Sequence, residues 1–281
     1  MVNEHQMSER HACALVGLSR DTYRHESVPS ALNVELREQI IQTAHKRRRW
    51  GYRMIHDMLR PQYPNINHKR VYRLYRAEDL SIKKRKKVKR VGVRVPLVAA
   101  LSVNQTWSMD FVSDAIARPG AVSRRIKCLT VADDFSHECV DIGVDFGIGG
   151  AYVTRLLDRA ALFRGYPKEV RTDNGPEFTS RAFMTWAQKH DIKHILIQPG
   201  SPTQNAYIES FNGTFRDECL DENWFESLAQ ARQIIATWRI DYNETRPHSS
   251  CGGIPPATFA AKHRQLTGDA SQTSKSDTGI S

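Results

Sequence analysis

R-T-D-N-G-P-E-F, Arg171 to Phe178, is followed, 26 residues on and after a loop with Pro199, Gly200 and Pro202, by N-A-Y-I-E-S-F-N-G-T-F-R, Asn205 to Arg216. The first motif follows a short β-type run, E-V-R-T, and enters an Asn-Gly-Pro turn in which Gly175 tolerates backbone angles that other residues resist. Asp173 therefore stands at the end of a strand. In the second motif Tyr207, Phe211 and Phe215 recur at i, i+4 and i+8, with Ile208 beside them, which predicts a helix with one apolar face. Asn205, Glu209, Asn212 and Arg216 form a polar stripe on the same helix. Asp173 and Glu209 have 35 residues between them. A third acid, Asp110, lies upstream in the strand-like run T-W-S-M-D-F-V. Three carboxylates from three distant segments suit metal-dependent phosphoryl transfer. Two divalent ions roughly 3.5–4 Å apart can clamp the attacking and leaving oxygens of a phosphodiester, and Mg²⁺ takes hard oxygen ligands while keeping several waters.

Composition narrows the class. A chain of 281 residues is long enough for one to three domains with a buried core. Its five cysteines show no C-x-x-C pairing, which argues against a zinc site or a disulfide framework and for a reducing cytoplasm. No run of apolar residues is long enough to span a membrane, and no signal peptide is evident. The net charge of +10 is uneven. Residues 1–96 carry 22 Lys/Arg and 9 Asp/Glu, and residues 97–281 carry 19 and 22. The pattern is a basic nucleic-acid-binding region attached to a near-neutral catalytic one.

From the N-terminus, Ser8 and Ser19 predict caps of two short helices, through Val16 and Arg24, with a turn at Gly17. Ser27 to Asn33 reads as a linker. Three helices follow, over Val34–Arg49, Tyr52–Leu59 and Asn67–Asp79. The third sets Val71, Leu74 and Tyr75 on an apolar face and Lys69, Arg73 and Arg76 on another, with Arg70 beside them. This is the outline of a recognition helix, and these four basic residues are candidate DNA contacts. Residues 83–94, K-K-R-K-K-V-K-R-V-G-V-R, form a basic linker whose Lys84 and Arg85 are further candidates. Strands are expected at Thr106–Ser113, Ile126–Asp133 and Glu138–Asp145, then a helix Gly149–Arg164. A strand then leads into Asp173, followed by a helix Thr179–His190, a fifth strand Ile192–Ile197 and a helix Phe225–Tyr242. Arg246 and His248 in the loop after it read equally as DNA contacts or as a packed loop. The Ser/Thr/Asp/Gly-rich tail from Thr267 reads as disordered.

W-S-M-D-F-V, T-D-N-G-P-E-F and S-P-T-Q-N-A-Y-I-E-S-F-N-G-T-F-R-D-E-C-L, with Y-N-E-T-R-P-H-S-S and P-P-A-T-F downstream, resemble the DDE transposases of the insertion sequence three family. More widely they resemble the retroviral-type integrase core. The likeness extends over about residues 8–262. It implies an α/β, RNase H-like mixed five-stranded sheet flanked by helices, preceded by an all-α helix-turn-helix region. The domain plan is then a helical segment and linker (1–33), a helix-turn-helix-like domain (34–82), a basic linker (83–97), a catalytic core with a C-terminal helix (98–262) and a tail (263–281). The resemblance also implies a D-D-35-E triad of Asp110, Asp173 and Glu209 holding two Mg²⁺, with Mn²⁺ as a substitute, for DNA strand cleavage and strand transfer at element ends. Asn174, Asn205, Asn212 and Arg216 become candidates for supporting the ligands or touching DNA. The expected partners are double-stranded DNA (terminal repeats and target), further copies of the chain on DNA, and an upstream reading-frame product or a fusion with it. The expected location is the bacterial cytoplasm, at the nucleoid. His137 stands where the family commonly has Arg, and Cys251 where it usually has Leu. The rival readings are a DNA-binding regulator without catalysis of its own and a hydrolysis-only nuclease.

Overall fold

Capping serines set the first helices of the computed structural model, which describes residues 6–25, 30–82, 99–117, 120, 122–197 and 205–264. Ser8 and Ser19 accept backbone N–H bonds at the starts of α1 (Glu9–Leu15) and α2 (Arg20–Arg24), and an Arg24–Glu9 ion pair of 2.7 Å joins the two. The linker expected over Ser27–Asn33 is corrected at its end. Ser30 caps the next helix by accepting from Asn33 N, so α3 runs Ala31–Lys46. It stops three residues before the expected Arg49, which leaves Arg47, Arg48 and Arg49 in the turn before α4 (Tyr52–Leu59). Asn67 caps α5 (His68–Ala77). Ile40, Trp50, Ile55, Leu59, Val71 and Tyr75 close a small core among these three helices.

The sheet follows. Its first strand, β1 (Thr106–Ile116), is three residues longer than expected, because it pairs antiparallel with β2 (Arg124–Asp133) out to Ile116↔Arg124. β3 (Cys139–Asp145) pairs antiparallel with β2. After α6 (Gly150–Arg164), β4 (Glu169–Thr172) adds parallel to β1. After α7 (Arg181–Lys189), β5 (Lys193–Leu196) adds parallel to β4. The order is β3-β2-β1-β4-β5. Alternation along the strands sends side chains to opposite faces. Trp107, Met109 and Leu129 pack under α6 and α7, while Val112, Ile126 and Cys128 meet the helices that follow β5. Gly143 on β3 lets α6 lie close, since a Cβ there would stand 2.4 Å from Leu156 Cδ1.

The second face carries α8 (Ala206–Phe215), a π-helical turn Arg216–Leu220, and α9 (Leu228–Glu244). Ile208, Phe211 and Phe215 are the buried face of α8, as their spacing requires, while Tyr207 is only half-buried. α9 also covers the outer edge of β3. Asn243 accepts from Cys139 N and donates to Cys139 O, Arg239 donates to Val140 O, and Arg232 donates to Val144 O. Among the described residues no helix is long and apolar enough to cross a membrane, and the five cysteines are free.

The helical region touches this second face. Arg47 makes a two-pronged ion pair with Asp241 of α9, and Arg49 donates to Glu222 at 2.8 Å. A Cβ on Gly253, whose φ is +79°, would stand 2.9 Å from Asp57 Cγ of α4. The basic tract with Lys84 and Arg85, the Pro199–Pro202 loop and the tail from Thr267 lie outside the described residues.

Candidate active site

Asp110 sits in the middle of β1, half-buried, opposite Thr130 of β2. Its Oδ1 accepts from the Phe111 amide at 2.7 Å and its Oδ2 accepts from Asn212 Nδ2 of α8 at 2.9 Å. The buried Thr130 hydroxyl lies 2.8 Å from Asn212 Oδ1 and 3.0 Å from the Asp110 carbonyl oxygen. Asn212 is thereby held in the amide orientation that points its donor at the carboxylate. Burial raises the Asp110 pKa, and the charges of Asp173 and Glu209 push the same way; the Phe111 and Asn212 donors oppose them. The charges of Asp173 and Glu209 are therefore felt at Asp110. Among the described residues, however, no three His, Cys, Asp or Glu side chains are already grouped as a metal cage.

Asp173 follows β4 and is exposed; its Oδ1 accepts from Gly175 N at 3.0 Å, which closes the turn after the strand. Glu209 is exposed on the first turn of α8, where the helix dipole favours an acid. Glu177, the other acid of the first motif, accepts from Lys127. Asn174 donates to Ile197 O at 3.3 Å. Asn205 precedes α8 without capping it through its side chain, and among the described residues its buried Oδ1 has no hydrogen-bond partner. Arg216 donates to Ser113 O at 2.7 Å, tying the end of α8 to β1.

Two supporting groups had no mark in the sequence. Thr130 is one, visible only through cross-strand register. The other is a buried ion pair: Arg171 of β4 donates to Asp134 and approaches Ser108 Oγ at 3.5 Å. Ser108 and Arg171 are register partners, two residues before Asp110 and Asp173 respectively. This pair fastens together the two strands that carry those acids. Burial lifts the Asp134 carboxyl to about 6 even beside Arg171.

On α5, Lys69, Arg73 and Arg76 are exposed. Arg70 is half-buried and donates to Asn33 Oδ1 and Ser30 Oγ, so it holds the start of α3. In the basic turn before α4, Arg47 and Arg49 are engaged by core acids. The loop after α9 is packed: Arg246 grips Glu218 and His248 is buried.

Residues 31–88 match an HTH-like domain, and residues 100–202 and 190–256 match integrase core domains. Over 265 residues the chain is 62% identical to the 39.2 kDa protein of insertion element IS476 from Xanthomonas euvesicatoria, covering 94% of this chain and 75% of that one. The chain belongs to the IS3-type transposases. It is also 54% identical to the 31.7 kDa protein of insertion element IS407 from Burkholderia multivorans, over 94% of both chains. To the transposase InsF for insertion sequence IS3A of Escherichia coli it is 25% identical, over 77% of this chain and 78% of that one. In fold this IS3-type transposase is like a chain of the simian T-cell lymphotropic virus intasome in complex with PP2A regulatory subunit B56 gamma, with a TM-score of 0.51 at 14% identity, covering 79% of this chain and 74% of that one. Its sheet order and flanking helices are RNase H-like. An integrase core joined to an HTH-like domain makes the transposase a DNA-binding, polynucleotidyl transferase-type enzyme of DNA transposition.

Proposed function

We propose that this transposase cuts and joins DNA at the ends of its element through Asp110, Asp173 and Glu209. The observation that carries the reading is the electrostatic one: Asp173 and Glu209, from different elements, both push up the pKa of Asp110, which is held in place by Asn212. Such mutually repelling hard oxygens fit a divalent cation, and these three side chains would hold two Mg²⁺, or Mn²⁺ in their place. When bound, the ions supply charge neutralisation at the attacking and leaving oxygens.

The protein's own part is positioning. Asn212 and the Phe111 amide fix both oxygens of Asp110, the Gly175 turn orients Asp173, and α8 presents Glu209. In the first displacement, water attacks phosphorus in line, one P–O bond forms as another breaks, and a 3′-hydroxyl leaves. In the second, that 3′-hydroxyl attacks another phosphodiester and a new 3′-hydroxyl leaves. Neither displacement needs a covalent protein–DNA bond, and orientation supplies much of the rate. Lys69, Arg73 and Arg76 of α5 are the proposed DNA contacts of the helix-turn-helix, and the chain works as an oligomer on paired ends.

The test is cleavage and joining of a labelled duplex carrying the terminal repeats, with Mg²⁺ or Mn²⁺, by the wild type and by Glu209→Gln. Joined products that vanish in the variant are expected. Cleavage without joining would convert the reading to a hydrolytic nuclease. DNA binding with no reaction, also after addition of the upstream reading-frame product, would make the chain a regulator.

A further inference from the structure

A cavity of about 490 Å³ opens between α8, on the flank next to that of Glu209, and the loop after α9. Its size is within the roughly 300–1,000 Å³ of small-ligand pockets. One wall is Tyr207, Ser210 and Thr214, spaced i, i+3 and i+7 on α8, and the loop after α9 is the other. Phe211 and Tyr242, with ring centroids 5.1 Å apart and edge to face, belong to its apolar lining.

Charge in this cavity cancels. Among the described lining residues the one cation is Arg246, and it is spent on Glu218 through Nε and Nη2, at 2.8 and 2.7 Å. Its Nη1 lies 3.3 Å from His248 Nε2. Burial, with Arg246 alongside, holds the His248 pKa down at about 3, and burial also lowers that of His137, so both imidazoles are neutral at pH 7. The Asp133 carboxylate is occupied by the amides of Asn104, Phe135 and Ser136. A phosphate gains little in such surroundings. A flat neutral ring with a hydrogen-bonding edge gains more. Tyr207 and His137, 5.6 Å apart, offer ring faces, and Ser210, Ser249 and Ser250 offer exposed hydroxyls.

We propose that this cavity receives one unpaired nucleobase of a DNA strand that crosses α8. The inference rests on the transposase reading. Glu209 neighbours two lining residues, Ser210 in sequence and Ala206 three positions back on the helix surface, so it lies within one helix width, roughly 10–12 Å, or at most about three base steps at roughly 3.4 Å each, of the cavity. Stacking on an aromatic ring offsets the cost of taking the base out of the duplex, and a pocket without net charge reads bases and leaves phosphates to the basic surfaces.

The experiment uses the full chain and a terminal-repeat duplex with 2-aminopurine placed, one position at a time, on both strands around the cleavage junction. EDTA is present, so the readout needs no chemistry, and anisotropy of an end label reports binding in parallel. The expected result is a rise in 2-aminopurine emission at one position near the junction. Loss of one base–aromatic stack predicts roughly a 5- to 150-fold fall in the extruded fraction for Tyr207→Ala. Tyr207→Phe retains the rise, and Ser210→Trp, which fills the cavity, removes it; all three bind the duplex as the wild type does. Binding with silent emission at every position overturns the proposal and leaves the transposase reading intact. A rise that survives both Tyr207→Ala and Ser210→Trp also overturns it. Failure of the wild type to bind the duplex at all defeats both readings together.

Discussion

Asn212→Ala removes the hydrogen bond to Asp110 and the one that Asn212 Oδ1 accepts from Thr130, whose hydroxyl keeps the Asp110 carbonyl oxygen as a partner. Asn212 Nδ2 donates to Asp110 Oδ2 at 2.9 Å, while the Phe111 amide and the β1–β2 ladder remain. A hydrogen bond to a charged group is worth about 1.5–3 kcal/mol. Asp110 is half-buried, so water replaces part of it, and the lower half of that range applies. If the bond serves to hold Asp110 for the transition state, strand cleavage falls about 13- to 45-fold. Stability hardly moves, because alanine in a helix returns up to about 0.7 kcal/mol of propensity. Asn212→Asp should be worse than Asn212→Ala, since it sets another negative charge beside an acid whose pKa is already raised. The assay is single-turnover cleavage of a labelled terminal-repeat duplex, with thermal unfolding measured on the same preparations. Cleavage by Asn212→Ala within about twofold of wild type would refute the reasoning and show that β1 alone orients Asp110.

Three other outcomes follow from the same structure. Arg171→Met leaves Asp134 buried without its partner and should cost about 3–5 kcal/mol in urea unfolding, whereas Arg171→Met with Asp134→Leu recovers most of that; equal losses for the single and double variants would show that the pair does not act as a unit. Asp241→Lys sets like charges against each other at the junction with the helix-turn-helix. Both partners are 21–24% exposed, so the change should cost about 1 kcal/mol at low salt, and Arg47→Asp added to it should restore stability; an unaltered thermal midpoint in Asp241→Lys at low salt would count against the docked contact. His248 has a folded pKa of about 3, below the ordinary 6.5, so the unfolded chain binds the extra proton between those values and stability falls as pH drops through that window. His248→Gln should therefore flatten the loss between pH 7.5 and 5 by about 2 kcal/mol, measured by urea unfolding at both pH values, and an unchanged slope would exclude His248 as its source.

The acids were legible because the chain advertises them locally. A strand, an Asn-Gly turn and an amphipathic helix each leave a short-range pattern, and Asp173, Glu209 and the apolar face of α8 stand where those patterns put them. The ends of elements were less legible. α3 begins at Ala31 because Ser30 caps it, although S-V-P-S-A-L-N has the composition of a linker. β1 runs on to Ile116 because β2 is there to pair with it, which no window of β1 reveals. The same holds for the supports of the site. Thr130 reaches Asp110 and Asn212 through register, and Arg171 meets Asp134 across 37 positions of sequence. Charge was the least local signal. Arg70 reads as a DNA contact in the sequence and is occupied by Asn33 and Ser30 within the chain, as Arg47 and Arg49 of the basic turn before α4 are by Asp241 and Glu222.

The covered edge of β3 has a bearing on crowding. Asn243, Arg239 and Arg232 occupy backbone groups that a visiting strand would need, so the sheet is closed to lateral growth on that side. The opposite edge, β5, offers four residues and begins with a lysine that pairs with Glu169. Several copies brought together on one DNA molecule reach high local concentrations, at which an open hydrophobic edge invites fibrous stacking. With one border stitched shut by a helix and the other short and charged, neighbouring copies are steered toward helix- and loop-mediated contacts and away from a continuous intermolecular sheet.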